Sequence, residues 1–311
     1  MSGPPVDDAL RCTVSRAVQR LQAELVASTP QMAGPVAAWM QALAGGADPA
    51  AYFSHPLAFP TLQLPGWVAQ SLGGEADDAL QEDLAYSSIN GYYFIRMIDN
   101  VMDGEATVEA RLLPALAFFH SEFHGVYQAR FAVGHPFWAV YRRVWFGTAE
   151  AAVVDGQLGT ISLEAFEQAS ARKVGAALIP VAAVCHHHGL ADRIGPWAEL
   201  VHRLGKWHQM LNDSFDWHKD SEHGNTTHFL SEAQRLKRPD ESAMAWVVRC
   251  GFDGACDTLR RWMGDTQALA ATLGCPALVQ CLADRAAQFE VRAHRARDGL
   301  RALGPLASAW R

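Results

Sequence analysis

The sequence predicts an all-α fold, on three observations. Apolar residues recur at three- and four-residue spacing over long stretches, the period of one helical face. Alternating apolar–polar runs flanked by turn dipeptides, the mark of hairpin strands, are scarce. The punctuation agrees: Pro136, Pro196, Pro239 and Pro276 stand where periodic segments start, and Gly104, Gly156, Gly189, Gly224 and Gly274 where they stop.

In chain order, helices are expected over 7–28, 31–44, 75–102, 106–131, 137–155, 162–188, 196–218, 239–249, 253–273 and 276–302. The third opens on EADDALQEDL, whose acids suit a solvated first turn and the positive end of the helix dipole, and it stops before Gly104. The fifth lies between Pro136 and Gly156. The sixth stops before Gly189 and holds Gly175 and Pro180, so a kink is expected there, because proline removes an i→i−4 bond and clashes with the preceding turn. The seventh, eighth and tenth open at Pro196, Pro239 and Pro276, and the ninth ends before Gly274. The Pro-rich segment 54–66 (SHPLAFPTLQLPG) is apolar and reads as a packed loop. No polar linker, low-complexity run or fixed-period repeat interrupts the chain. Residues 1–311 are therefore expected to form a single domain, with 1–50 supplying N-terminal helices.

Of 311 residues, half are hydrophobic and 19% charged, with 26 Lys+Arg against 33 Asp+Glu. That balance excludes disorder. The longest nearly apolar run, 174–185, contains Pro180 and is too short to span a bilayer. The start, MSGPPVDDAL, lacks a charged-then-apolar leader, so a cytoplasmic location is expected. Six cysteines without a CxxC pair read as reduced core residues. The net charge of −7 argues against nucleic acid as a partner.

Two places carry acids against an apolar background. In YYFIRMIDNVMDGE, 92–105, Asp99 and Asp103 lie four apart on one helical face, about 6 Å along the axis. Such carboxylates repel unless a cation sits between them, and Mg²⁺ takes one or two carboxylates together with substrate phosphates. With 33 acids among 311 residues, about three such pairs arise by chance. The second place discriminates better. In LGKWHQMLNDSFDWHKDSEHGN, 204–225, Asn212, Asp216 and Asp220 form an i, i+4, i+8 stripe about 12 Å long. Gln209 lies just upstream, and Leu200, Leu204, Trp207, Leu211 and Phe215 supply the apolar face. Two oxygen-rich stripes on two long helices suit a polyanion bridged by divalent metal.

Together, Tyr92-x₃-Arg96-x₂-Asp99-x₃-Asp103 and Gln209-x₂-Asn212-x₃-Asp216-x₃-Asp220 resemble the squalene/phytoene synthase family and, more broadly, class I isoprenoid synthases. The second motif also resembles the Asn-Asp-x-x-Ser-x-x-x-Glu pattern of class I terpene cyclases, with Asp216 and Asp220 in the Ser and Glu places. The resemblance covers about residues 60–302, and the motifs are 117 residues apart from Asp99 to Asp216. It implies a single-domain helical bundle around a central active-site cavity. It further implies a prenyl diphosphate substrate and two or three Mg²⁺ ions, with Mn²⁺ as a substitute. Asp99, Asp103, Asn212, Asp216 and Asp220 would be the catalytic metal ligands. Arg96 would contact diphosphate beside Tyr92, with Lys173 and Arg172 as further contacts and Gln209 and Phe229 lining the substrate. A homodimer and peripheral membrane contact for the lipophilic product also fall within what the resemblance allows.

The chain departs from the condensing branch of that family. Phe215 stands where an Arg usually precedes the Asp216 position, the first motif reads Asp-Asn rather than Asp-Asp, and no Ser-x-Ser-Phe segment is present. The Arg-Gly-Arg-x-Tyr segment becomes HGNTTHFL, 223–230, keeping only Gly224 and the aromatic Phe229. Fewer diphosphate-binding groups suit one substrate rather than two. The expected activity is thus a terpene synthase, a prenyl-diphosphate lyase acting on a C15–C25 chain. The alternatives are a head-to-head condensing prenyltransferase and a non-catalytic helical binding or assembly module. His186-His187-His188 cannot converge on a metal from one helix, His208 and His218 read as structural, and Arg292, Arg295 and Arg297 read as a solvated face from which one could reach diphosphate.

Overall fold

The computed structural model describes residues 8–53, 55, 58–73, 77–102, 110–155 and 159–307. Helix accounts for 83% of it and no described residue is in a strand, so the architecture is all-α. The helices are α1 Asp8–Ser28, α2 Pro30–Leu43, α3 Pro49–Phe53, α4 Leu64–Ser71, α5 Asp78–Met102, α6 Ala115–Arg130, α7 Phe137–Asp155, α8 Leu163–Lys173, α9 Leu178–His187, α10 Ile194–Phe215, α11 Trp217–His223, α12 His228–Leu236, α13 Ala243–Trp246, α14 Phe252–Thr272 and α15 Pro276–Ala307. Among the described residues no helix is long and apolar enough to cross a membrane. The chain divides into two compact units, one of residues 1–143 with 176–194, the other of 144–175 with 195–311.

In the first unit α5 is central, packing against α1 and α6. It buries Leu80, Leu84, Ile89, Tyr93 and Met97, met by Val14, Val18, Leu21 and Leu25 of α1 and Phe119 and Phe123 of α6. A polar ladder fixes their register. The Ser87 hydroxyl donates to the Phe123 carbonyl at 2.8 Å, and the Tyr86 hydroxyl to Glu122 at 2.6 Å. Asp83 accepts from Arg20 at 2.8 Å and from Arg130. Burial alone would raise the Asp83 pKa, but these two guanidinium bonds outweigh it and hold the carboxyl below its ordinary value.

The second unit is built on α10, which buries Trp197, Leu200, Val201, Leu204, Trp207 and Leu211. The Trp207 indole donates to the Leu259 carbonyl of α14 at 3.1 Å, and its ring meets Phe289 of α15 edge-on at 6.0 Å. Where α10 passes α8, Gly205 leaves no room for a side chain. A Cβ there would lie 2.4 Å from Val174 and 3.0 Å from the Ser170 carbonyl.

Several expected elements take a different form. The helix expected over 162–188 is two helices, because Val174 turns the chain and Gly175–Ala177 form a 3₁₀ turn. Pro180 then falls in the first turn of α9, where its missing N–H costs no hydrogen bond. A Cβ on Gly175 would sit 2.8 Å from the Thr148 hydroxyl, so the close approach of α7 to this turn depends on glycine. The helix expected over 106–131 starts only at Ala115, after Pro114, with a 3₁₀ turn at Ala110–Leu112 before it; residues 103–109 lie outside the described residues. The segment 239–249 resolves into α13 and a π-helical turn, Val247–Gly251, and α12, capped by the Thr227 hydroxyl, was not expected. Part of the Pro-rich loop 54–66 is helix, since α4 begins at Leu64.

We expect Gly205→Ala to lower unfolding stability by about 1–2 kcal/mol in urea titration. Overpacking against Val174 costs about 1–3 kcal/mol and exceeds the gain in helix propensity of about 1 kcal/mol. A neutral or stabilising result would contradict the close approach of α10 to α8.

Candidate active site

On α5, the residues of the first motif follow the amphipathic turn of the helix. Tyr93 and Met97 are buried, while Tyr92, Arg96 and Asp99 are partly exposed. The Arg96 guanidinium lies 3.9 Å from the Asp99 carboxylate, one turn away. Both side chains are partly exposed, so this pair contributes little to stability. Asp103 lies outside the described residues. Tyr92 belongs to an aromatic cluster: its hydroxyl is hydrogen-bonded to the Tyr52 hydroxyl, and Phe53 meets it edge-on at 5.3 Å. Burial, with the Tyr52 bond second, raises the Tyr92 phenol far above its ordinary pKa, so it acts as a neutral donor or acceptor. Sequence reasoning missed Tyr52 and Phe53, which sit on the five-residue helix α3 with no periodicity to mark them. Asn100, which makes the motif read Asp-Asn, is fully buried beside Asp99.

The second motif is a helical stripe with a joint in it. α10 ends at Phe215, and Asp216, at φ −102° and ψ 8°, leaves helical geometry before α11 begins. The i→i−4 ladder nevertheless runs through: Asp216 N–H donates to the Asn212 carbonyl at 2.8 Å, and Asp220 N–H to the Asp216 carbonyl at 3.0 Å. Asn212, Asp216 and Asp220 therefore keep one side of the chain. Asn212 and Asp216 are exposed, and among the described residues their side chains have no hydrogen-bond or salt-bridge partner. Asp220 accepts from the Asn225 amide at 3.1 Å, and Gly224, at φ +72°, closes α11 in the left-handed conformation that only glycine adopts without strain. Gln209 donates to the buried Asp213 carboxylate at 2.7 Å, so its amide braces α10 from within.

One turn before Asn212, on the same side, stands His208. Burial pushes its pKa down to about 4, and the nearby Arg285 and Arg292 push in the same direction. The imidazole is thus neutral at physiological pH, and the positive charge beside it comes from two arginines of α15. Arg285 is 4% exposed, and the Arg292 guanidinium lies 4.4 Å from the Phe215 ring centre. Arg292 is thus partly exposed and packed on an aromatic ring, and Arg297 pairs with Asp253 at 2.6 Å.

Arg172 and Lys173 are exposed at the end of α8, where cations complement the helix dipole, and the Arg172 carbonyl accepts from Thr148 at 3.0 Å. Phe229 is buried on α12. It lines a cavity of about 640 Å³ in the second unit, with Met210, Trp246 and Trp262, and its ring meets Trp246 at 5.6 Å. Among the described residues no three His, Cys, Asp or Glu side chains converge into a metal-holding group. The stripe offers two such carboxylates and one amide oxygen.

No protein-family model matches this chain, and no curated protein matches it.

Because the unfolded His208 titrates near 6.5 and the folded one near 4, its contribution to stability is complete above about pH 6.5 and is lost as pH falls toward 4. The urea midpoint should decline from pH 7 to pH 5, and His208→Gln should flatten that decline. An unchanged slope in the variant would show that His208 is not the group responsible.

Proposed function

We propose that the chain is a class I terpene synthase, a Mg²⁺-dependent lyase that ionises and cyclises one linear C15–C25 prenyl diphosphate and releases diphosphate. The observation that carries this reading is the stripe on α10 and α11, where exposed oxygen donors follow His208, a residue that two arginines approach. Exposed Asn212 and Asp216, with Asp220 one turn on, make a hard-oxygen donor set that fits Mg²⁺. Arg285 and Arg292 lie close enough to act on His208, one turn before Asn212. Metal-binding oxygens beside guanidinium groups suit a diphosphate, which needs both.

Each residue has a task under this reading. Asn212, Asp216 and Asp220 would hold metal, and Asp99 and Asp103 are the further ligands that the motif resemblance implies. Bound Mg²⁺ supplies positive charge to the leaving diphosphate oxygens. Arg292, steadied on Phe215, would donate to diphosphate. A neutral His208 adds no charge of its own, so it does not compete with the arginines for the anion. Tyr92, held by Tyr52, presents an un-ionised ring face, which stabilises a neighbouring cation through its quadrupole. Gln209 is committed to Asp213, so its role is to brace the helix rather than to touch substrate. An all-helical chain is compatible with the bundle expected for such enzymes.

Incubation with C15, C20 and C25 prenyl diphosphates and Mg²⁺, followed by mass spectrometry of an organic extract, should yield a cyclic hydrocarbon or alcohol of unchanged carbon count. Doubling of the carbon count would replace this reading with a condensing prenyltransferase, and absence of both product and released diphosphate would end both. Asp99→Ala and Asp216→Ala should each lower turnover at least about a hundredfold with the circular dichroism spectrum unchanged, in line with losing a charge-stabilising group at the transition state. Near-wild-type rates in either variant would remove the metal assignment.

A further inference from the structure

We infer that the second unit carries a separate binding site, on the opposite side of α10, for an apolar molecule bearing one anionic group such as a medium-chain carboxylate. Its location is the cavity of about 640 Å³ whose walls include Met210, Phe229, Trp246 and Trp262. That size is typical of small-molecule sites, which are mostly apolar with a few placed polar groups.

The cavity is distinct from the oxygen stripe for a geometric reason. At about 100° per residue, Met210 and Asn212 point about 160° apart on α10, so the wall residue and the stripe face away from each other. None of Asn212, Asp216 and Asp220 lines the cavity.

The wall is set by backbone rather than by loose packing. The chain makes a π-helical turn at Val247–Gly251, a rare form that recurs at functional sites. Gly251 allows the Trp246 ring to lie directly on the backbone, where a Cβ would come within 2.3 Å of it. Trp246 is thereby held against Phe229, and the two rings form one continuous apolar surface. At the edge, Leu163 and Leu236 are 49% and 47% exposed, so the apolar lining extends to the mouth.

The charge at the mouth selects the head group. Glu232 is neutralised by Arg235 through two bonds, of 2.9 and 2.6 Å. Arg261 also lines the cavity, is exposed, and among the described residues has no salt-bridge partner. The mouth thus carries one surplus positive charge above an apolar recess. A single anion with an apolar tail satisfies both, whereas a neutral or cationic amphiphile satisfies only the recess.

Calorimetric titration of the full chain with dodecanoate, in EDTA and below the micellar concentration, tests this without any metal. Saturable binding at one site is expected, with Arg261→Gln weakening it about tenfold and dodecyltrimethylammonium binding at least as weakly as that variant binds dodecanoate. Gly251→Val should remove binding by displacing Trp246. Should that variant not fold, the exposed Arg261→Gln still decides the matter. Asp216→Ala, on the opposite side of the helix, should bind dodecanoate like the wild type. The inference is overturned if the wild type shows no saturable binding, if Arg261→Gln binds as tightly as the wild type, if the cationic amphiphile binds equally well, or if Asp216→Ala abolishes binding.

Discussion

The seating of Trp207 sets the second unit. Its indole, fully buried, donates to Leu259 of α14 and stands edge-on to Phe289 of α15. A tryptophan so held fixes the rotation of its helix, because turning α10 by one residue, about 100°, would carry the ring out of its seat and leave its N–H without a partner. Every other assignment on α10 follows from that angle. Asn212 and His208 come to one side, Met210 to the other, and Gly205 to the contact with α8. The oxygen stripe and the cavity are two products of one rotational setting.

Much of this was legible in the sequence, and the reasons are local. α7 lies between Pro136 and Gly156 as the punctuation says, and α5 follows its 3.6-residue period to Met102. The stripe was legible because spacing survives a joint, and the ladder from Asn212 to Asp216 to Asp220 continues although Asp216 itself leaves the helix. What escaped was decided by tertiary contact. The Trp246 ring on Gly251 shapes the π turn, and no periodicity announces it. The helix α12 is short and cap-driven, so the packing of Phe229 against Trp246 was not legible. The packing of Arg292 on Phe215 was not legible either, because the two are distant in the chain. The resemblance to isoprenoid synthases remains a matter of motif, and the all-α architecture is the part of it that the fold bears on directly.

The polar groups near the motifs divide by burial. Asp213 and Gln209 satisfy each other inside, and His208 loses its charge there, whereas Asn212 and Asp216 remain solvated. Buried polar groups that are already paired cannot rearrange without losing a bond, so they serve as scaffold. Solvated acids keep their lone pairs for an incoming ion. On α5, Asn100 is buried and Arg96 and Asp99 are partly exposed.

The break at Gly175–Ala177 has a consequence for how the chain reaches its fold. It falls at the point where the chain passes from one compact unit to the other, and the first unit needs residues 176–194 as well as 1–143. The chain thus leaves the first unit, starts the second, returns, and leaves again. During synthesis the first unit stays incomplete until α9 emerges, with the beginning of the second already made and waiting for α10. Neither unit corresponds to a continuous piece that can be excised or fused elsewhere, and α9 closes its contact with α4 only across a long loop. A cut at this joint would therefore strip α9 from the first unit and α8 from the second at once.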